Sequence, residues 1–208
     1  MYIPRAYHET DRDQLVAFMQ AHSFVTLVSM IDQVPIASHV PVIVSVDDDL
    51  VKITGHLAKA NPQCRAFGQV ESLAIFTGPH AYVSPSLYEK RESVPTWNYI
   101  AVHAYGMPQP FTFVEQPAAV RQALETMISF YEADYQTQWA ELSETFREGM
   151  MRGIVGFEMT VNRLEGKYKL SQNRSLTDQN AVAQALLESP DTARQTTGQA
   201  MQARLDPT

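Results

Sequence analysis

The chain has 208 residues, with 16 Lys and Arg against 23 Asp and Glu and a formal net charge of −7. Hydrophobic residues make up 45% and charged residues 19%, ordinary values for a folded domain that needs no covalent staple to keep its core. A single cysteine, Cys64, excludes an internal disulfide framework and a Cys-based zinc ribbon; no apolar run reaches the roughly 18 residues of a membrane span, and net acidity argues against coating nucleic acid by bulk charge.

Met1-Tyr2-Ile3-Pro4-Arg5 lacks the basic-then-apolar build of a secretory leader, so a reducing, cytoplasmic setting and no membrane partner are expected. Thr10 followed by Asp13 resembles a capping box, and Leu15, Val16 and Met19 then line one face of a helix ending near His22. Phe24 to Met30 and Ile36 to Val46 are β-branched runs separated by Asp32-Gln33, which reads as a hairpin. Pro41 inside the second run implies an edge or a bulge. Asp47-Asp48-Asp49 is a further turn, Leu50 to His56 a third strand, and Ala58 to Phe67 a short helix delimited by Asn61-Pro62. Leu73 to Thr77 and Ala81 to Ser84 read as strands on either side of the Gly78-Pro79 break.

Trp97 to Gly106 is another strand, continued by Phe111 to Val114 after the Pro108/Pro110 interruption. Val120, Leu124, Met127, Ile128 and Tyr131 recur at helical spacing, and Ser143 to Met151 forms a second, weaker helix. From Ile154 to Leu164, Val155, Phe157, Met159 and Val161 alternate with Gly156, Glu158, Thr160 and Asn162, the period of a strand with one buried face. Thr177 to Glu188 and Thr192 to Leu205 read as helices about Ser189-Pro190. Short strands with short connections argue against a βαβ repeat and for an α+β fold, a mostly antiparallel barrel-like sheet with flanking helices. One domain is expected, residues 1–174 forming the barrel and residues 175–208 a helical C-terminal segment.

The charge is unevenly distributed. Leu50 to Val70 and Gly166 to Thr177 contain no acid but carry Lys52, Lys59 and Arg65, and Lys167, Lys169 and Arg174. Ser93 to Val114 carries no charge at all, yet holds Trp97, Asn98, Tyr99, His103 and Tyr105. Exclusion of charge from buried strands accounts for the middle segment. The surplus of cations in the other two suits an anion.

Thr54-Gly55-His56-Leu57-Ala58-Lys59 joins a strand to a predicted helix start, where backbone N–H groups, a hydroxyl, an imidazole and an ammonium make a phosphate cradle. Gly55 is read as the residue that lets the chain turn and a ligand approach. Ser171-Gln172-Asn173-Arg174 offers consecutive donors and acceptors for a phosphate or a polar heteroaromatic edge; a solvated turn explains them as well. Trp97-Asn98-Tyr99 and Gly78-Pro79-His80-Ala81-Tyr82 supply aromatic surface, for a planar ring or for the core. The six histidines show no metal-binding spacing, and dinucleotide, nucleophile-elbow and P-loop motifs are absent from the sequence.

Five stretches in order carry a family resemblance: Met1-Tyr2-Ile3-Pro4, Gly55 to Gln63, Gly78 to Pro85, Val94 to Tyr99, and Leu164 to Arg174. Together they resemble the PaiB-type FMN-binding negative transcriptional regulators. The resemblance implies a flavin-binding split β-barrel related to the pyridoxamine-phosphate-oxidase-like flavoproteins, in a homodimer with two FMN sites at the subunit interface. It places Thr54, His56 and Lys59 at the phosphate, and Trp97, Asn98, Tyr99, Ser171, Gln172, Asn173 and Arg174 around the ring or ribityl chain. The function implied is a regulator or a redox or flavin sensor. A flavin-dependent oxidoreductase acting on a small molecule is one alternative, and a haem-binding split barrel using His39, His80 or His103 is another. DNA as a partner rests on the resemblance alone, since no basic recognition helix is visible.

Overall fold

The computed structural model describes residues 1–206. After a 3-10 turn at Arg5–Tyr7 come a two-residue strand, β1 (His8–Glu9), and helix α1 (Arg12–Ala21). Asp11, not Thr10, starts α1: its carboxylate accepts from the N–H groups of Asp13 at 3.0 Å and Gln14 at 3.1 Å. An anion there answers both the orphan donors and the positive end of the helix.

The predicted hairpin forms from β2 (Phe24–Ile31) and β3 (Val34–Asp47), with Asp32 and Gln33 at φ 51° and 64°. Both central residues are left-handed, as the twist of a two-residue hairpin turn requires. A second tight turn, with Asp48 at φ 51°, leads into β4 (Leu50–Ala58). Pro41 sits where β3 changes partner: residues 34–41 pair with β2 and residues 42–47 with β4. Its missing N–H therefore falls at the handover.

β5 (Ser72–Val83) and β6 (Thr96–Thr112) run through the prolines expected to interrupt them. At Pro108 the carbonyl accepts from the Gly68 N–H at 2.7 Å, so the strand is bordered there by a turn that asks for no donor from proline. Three helices follow, α2 (Pro117–Tyr131), α3 (Tyr135–Glu141) and α4 (Glu144–Arg152). The unexpected one, α3, is a short segment anchored by the buried Trp139. β7 (Ile154–Lys169) extends past Leu164, and α5 (Leu176–Leu187) and α6 (Thr192–Leu205) complete the described chain.

The strands form one sheet in the order β1-β7-β4-β3-β2-β5-β6, with a further β7–β6 pairing that closes it as a barrel. Every pairing with an assigned register is antiparallel. This is the expected α+β split barrel. By contacts the chain divides into two units. The first comprises Met1–Leu15, Thr77–Val102 and the chain from Glu165 onward; the second comprises Val16–Phe76 and His103–Leu164.

In the second unit, alternate residues of β2, β3, β4 and β7 turn inward, among them Leu27, Val42, Ile53, Phe157 and Met159. Gly55, expected to turn the chain, instead lies mid-strand opposite Phe157. A Cβ there would stand 2.8 Å from the Phe157 ring, so the glycine makes room for an aromatic side chain. In the first unit α5 and α6 pack on each other through Val182, Leu186, Thr197 and Gly198. α6, rich in Ala and Gln, is therefore a packed helix.

Candidate functional site

The three runs singled out for their charge have different fates. Lys52 is drawn into ion pairs on its own sheet, 2.7 Å from Asp47 and 4.0 Å from Glu158. Lys59 and Arg65 are exposed beyond the end of β4. The helix expected after Lys59 is a 3-10 turn, Pro62–Ala66, capped by the Asn61 side chain. The Lys59 N–H donates to the Gly153 carbonyl at 2.8 Å, so it is not available to a phosphate. Thr54 and His56 share one face of β4, since successive residues of a strand point to opposite sides. Burial lowers the His56 pKa, which keeps the imidazole neutral at pH 7. Thr54 lines a hollow of about 450 Å³ whose one charged lining residue is Glu158.

The uncharged run and the last cationic run meet in the first unit. Thr96 and Asn98 of β6 and Lys169 at the end of β7 line a cavity of about 160 Å³, with Tyr7, Ser171 and Arg174. No carboxylate lines it. Asn98 is fully buried, and its Nδ2 donates to Ser171 Oγ at 2.9 Å and lies 3.3 Å from Met201 Sδ. Ser171 is held at φ 66°, a left-handed conformation that turns the chain sharply after β7.

Gln172 staples that turn from within: its Oε1 accepts from the Leu170 N–H at 2.7 Å, and its Nε2 donates to the Tyr168 carbonyl. The Arg174 guanidinium lies 4.0 Å over the Tyr88 ring and reaches Ser93 Oγ at 3.4 Å. Stacking of this kind holds a guanidinium in place while leaving its donors directed outward. Lys169 donates to Thr96 Oγ1 and the Trp97 carbonyl. Burial, with the charge of Lys167 in second place, holds the Lys169 ammonium below the ordinary lysine pKa. Burial also raises the Tyr7 pKa, against the opposing pull of Arg174 and Lys167.

Asn98, Ser171, Asn173 and Arg174 are thus brought to one cavity, with Gln172 bracing its turn. Trp97 and Tyr99 belong to the other face of β6. Trp97 is 53% exposed, with the His80 and Tyr82 rings at 6.1 and 6.0 Å, while Tyr99 lies 5.2 Å from the Lys167 ammonium. Each cavity is lined by residues of one unit alone. Tyr7, Thr96 and Lys169 are lining residues that motif reading did not select. Lys169 had a visible signal, the acid-free run; Tyr7 had none.

Of the histidines weighed as iron ligands, His39 shares a 3.1 Å hydrogen bond with Thr26 Oγ1, His80 faces Trp97, and His103 packs beside Tyr105. Among the described residues no group of three or more His, Cys, Asp or Glu is placed to hold a metal ion, and no helix is long and apolar enough to cross a membrane.

Known proteins resemble this chain in sequence and in fold. A family model described as "Putative FMN-binding domain" matches residues 1–163. The Bacillus subtilis "Protease synthase and sporulation protein PAI 2" is 41% identical over 199 residues, covering 94% of each chain. An uncharacterized protein of Emericella nidulans is 32% identical over 162 residues, 62% of this chain and 64% of that one. Among solved structures, the flavocytochrome Anf3 from Azotobacter vinelandii superposes with a TM-score of 0.62 at 11% identity, over 80% of this chain and 72% of that one. The FAD and haem binding protein from Mycobacterium smegmatis gives 0.60 at 15% identity, over 78% and 73%. At such identities these two structures speak for the fold alone.

Proposed function

Because the chain belongs to the FMN-binding domain family, we propose that it binds FMN as a homodimer in the cytoplasm and acts there as a regulator that responds to flavin or redox state. The observation that carries this reading is the acid-free cavity of the first unit, where Lys169 and Arg174 accompany the buried Asn98–Ser171 pair. Cations, amides and hydroxyls suit a ligand that is anionic and rich in hydrogen-bonding groups, and FMN is such a ligand. At about 160 Å³ the cavity is smaller than the roughly 300 Å³ at which pockets for whole small molecules begin, so it suits part of the cofactor. The remaining surface is assigned to the partner copy.

His56 and Lys59, towards the end of β4 and just past it, are proposed for the phosphate; Thr54, expected with them, lines the hollow whose one charged residue is Glu158, a setting that does not suit an anion. Asn98, Ser171, Gln172, Asn173 and Arg174, with Trp97 and Tyr99, are proposed to flank the ring or ribityl chain. Bound flavin supplies hydride and one-electron chemistry that side chains lack. The residues named here bind and orient it. The regulatory role is proposed on the family resemblance, and the Bacillus relative is named for protease synthase and sporulation. The net charge of −7 directs that role towards protein or small-molecule partners rather than a DNA surface.

The test is a visible spectrum of the purified protein, identification of what it releases on denaturation, and light scattering for its mass. Apoprotein is then titrated with FMN and riboflavin. Yellow dimers that release FMN are expected. Lys59→Ala should weaken FMN binding but leave riboflavin binding unchanged, while Arg174→Gln weakens both. A colourless monomer that takes up neither ligand would end the proposal.

A further inference from the structure

The hollow of the second unit has the chemistry of a different ligand. It measures about 450 Å³, within the range of small-molecule pockets, and lies on the outer face of β3 and β4 beneath α2. Its apolar floor is Phe111, whose ring lies over Gly156 so closely that a Cβ there would stand 2.1 Å from Cε2. That ring also packs against the cluster of Phe113, Val120 and Met151, so it is a supported planar surface.

Around this floor stand Gln109, Gln116 and Gln122. All three are exposed, so a ligand in the hollow would exchange the water on their amides for its own donors and acceptors. Glu158 is the one charged lining residue, and its nearby Lys52 sits closer to Asp47, at 2.7 Å against 4.0 Å. No cation lines the hollow, so an anion entering it would lose hydration with no compensating charge. A planar group that carries N–H donors would stack on Phe111, satisfy the amides and place its positive end at Glu158.

We propose that this hollow is a second small-molecule site, selective for planar, neutral-to-cationic nitrogen compounds of the amidine or aminoheterocycle class, and separate from the flavin site. It stands independently of the cofactor reading, since it would hold in a protein that bound no flavin. A small-molecule input beside α2 would give a regulator a signal distinct from its cofactor.

Benzamidine and benzoate, rings of equal shape and opposite charge, are the probes. The full-length protein, saturated with FMN, is titrated with each while the glutamine side-chain amides are followed by NMR. Benzamidine is expected to shift those signals saturably and benzoate not to. Glu158→Gln should weaken benzamidine about tenfold, and Ala123→Phe, which fills the hollow from α2, should abolish the shifts while FMN stays bound. The proposal is overturned if both probes shift the amides equally, if neither does, if Ala123→Phe leaves the response unchanged, or if FMN and benzamidine compete.

Discussion

Asn98 on β6 and Ser171 after β7 lock two remote parts of the chain together, with Asn98 Nδ2 donating to Ser171 Oγ at 2.9 Å. Both side chains are buried, and Ser171 in addition holds φ at 66°. The bond and the backbone conformation can be separated by experiment. Ser171→Ala loses the bond and keeps the strain of a left-handed residue; Ser171→Gly loses the same bond and relieves it. Urea unfolding is expected to show both variants destabilised, with glycine the better of the two by about 1 kcal/mol. Equal losses, or a more stable alanine variant, would remove the left-handed turn from the account.

Gly55 and Phe157 face each other across β4 and β7, and the glycine's missing side chain is the space the ring uses. Gly55→Ala should therefore cost about 1–3 kcal/mol by overpacking a rigid core. If the cause is the ring, Phe157→Leu in the same chain recovers part of the loss, and a double-mutant cycle reads the coupling directly. Additive losses would place the effect in the backbone instead.

Where burial alternates cleanly, the sequence was enough: Val155, Phe157 and Met159 announce β7, and Asp32-Gln33 announces the hairpin. Prolines misled at β5 and β6 because a strand tolerates them wherever its neighbour needs no N–H, and the neighbour is a tertiary fact. Helix α3 was illegible because its seven residues bury one side chain, Trp139, which is too few to show a period. The cavity was half legible. Acid-free runs marked Lys169 and Arg174 as unusual, but the run Trp97-Asn98-Tyr99 does not say which side of a pleat faces the cavity. Gly55 was read as a turn because sequence shows a missing side chain without showing what occupies the space.

His56 gives a pH test of the proposed phosphate contact. Burial lowers its pKa in the folded protein, so the stability it contributes is complete above the unfolded value of 6.5 and is lost as pH falls through the folded pKa. Urea midpoints of the apoprotein should fall over that range and fall less in His56→Gln. Bound FMN raises the imidazole pKa if the phosphate is its partner, so saturating FMN should reverse the trend in the wild type. Riboflavin should leave it as it was. An FMN effect identical to that of riboflavin would take His56 out of the phosphate site.

Lys169 supplies the complementary test at alkaline pH. Its ammonium is held below the ordinary 10.5 by burial first and by Lys167 second, so its charge is lost earlier in a titration than that of an exposed lysine. For the apoprotein the sign is that of a depressed group: the penalty for burying the charge is full below the folded pKa and disappears as pH rises past the unfolded one. For an anionic ligand the sign is opposite, because the charge that costs stability is the charge that binds. Flavin affinity should therefore begin to decline below the ordinary lysine range. In Lys169→Arg the guanidinium stays protonated throughout, so this part of the decline disappears, while ionisation of the flavin itself is common to both proteins and cancels. Superimposable pH profiles for the two proteins would show that the ammonium at this cavity does not face the cofactor.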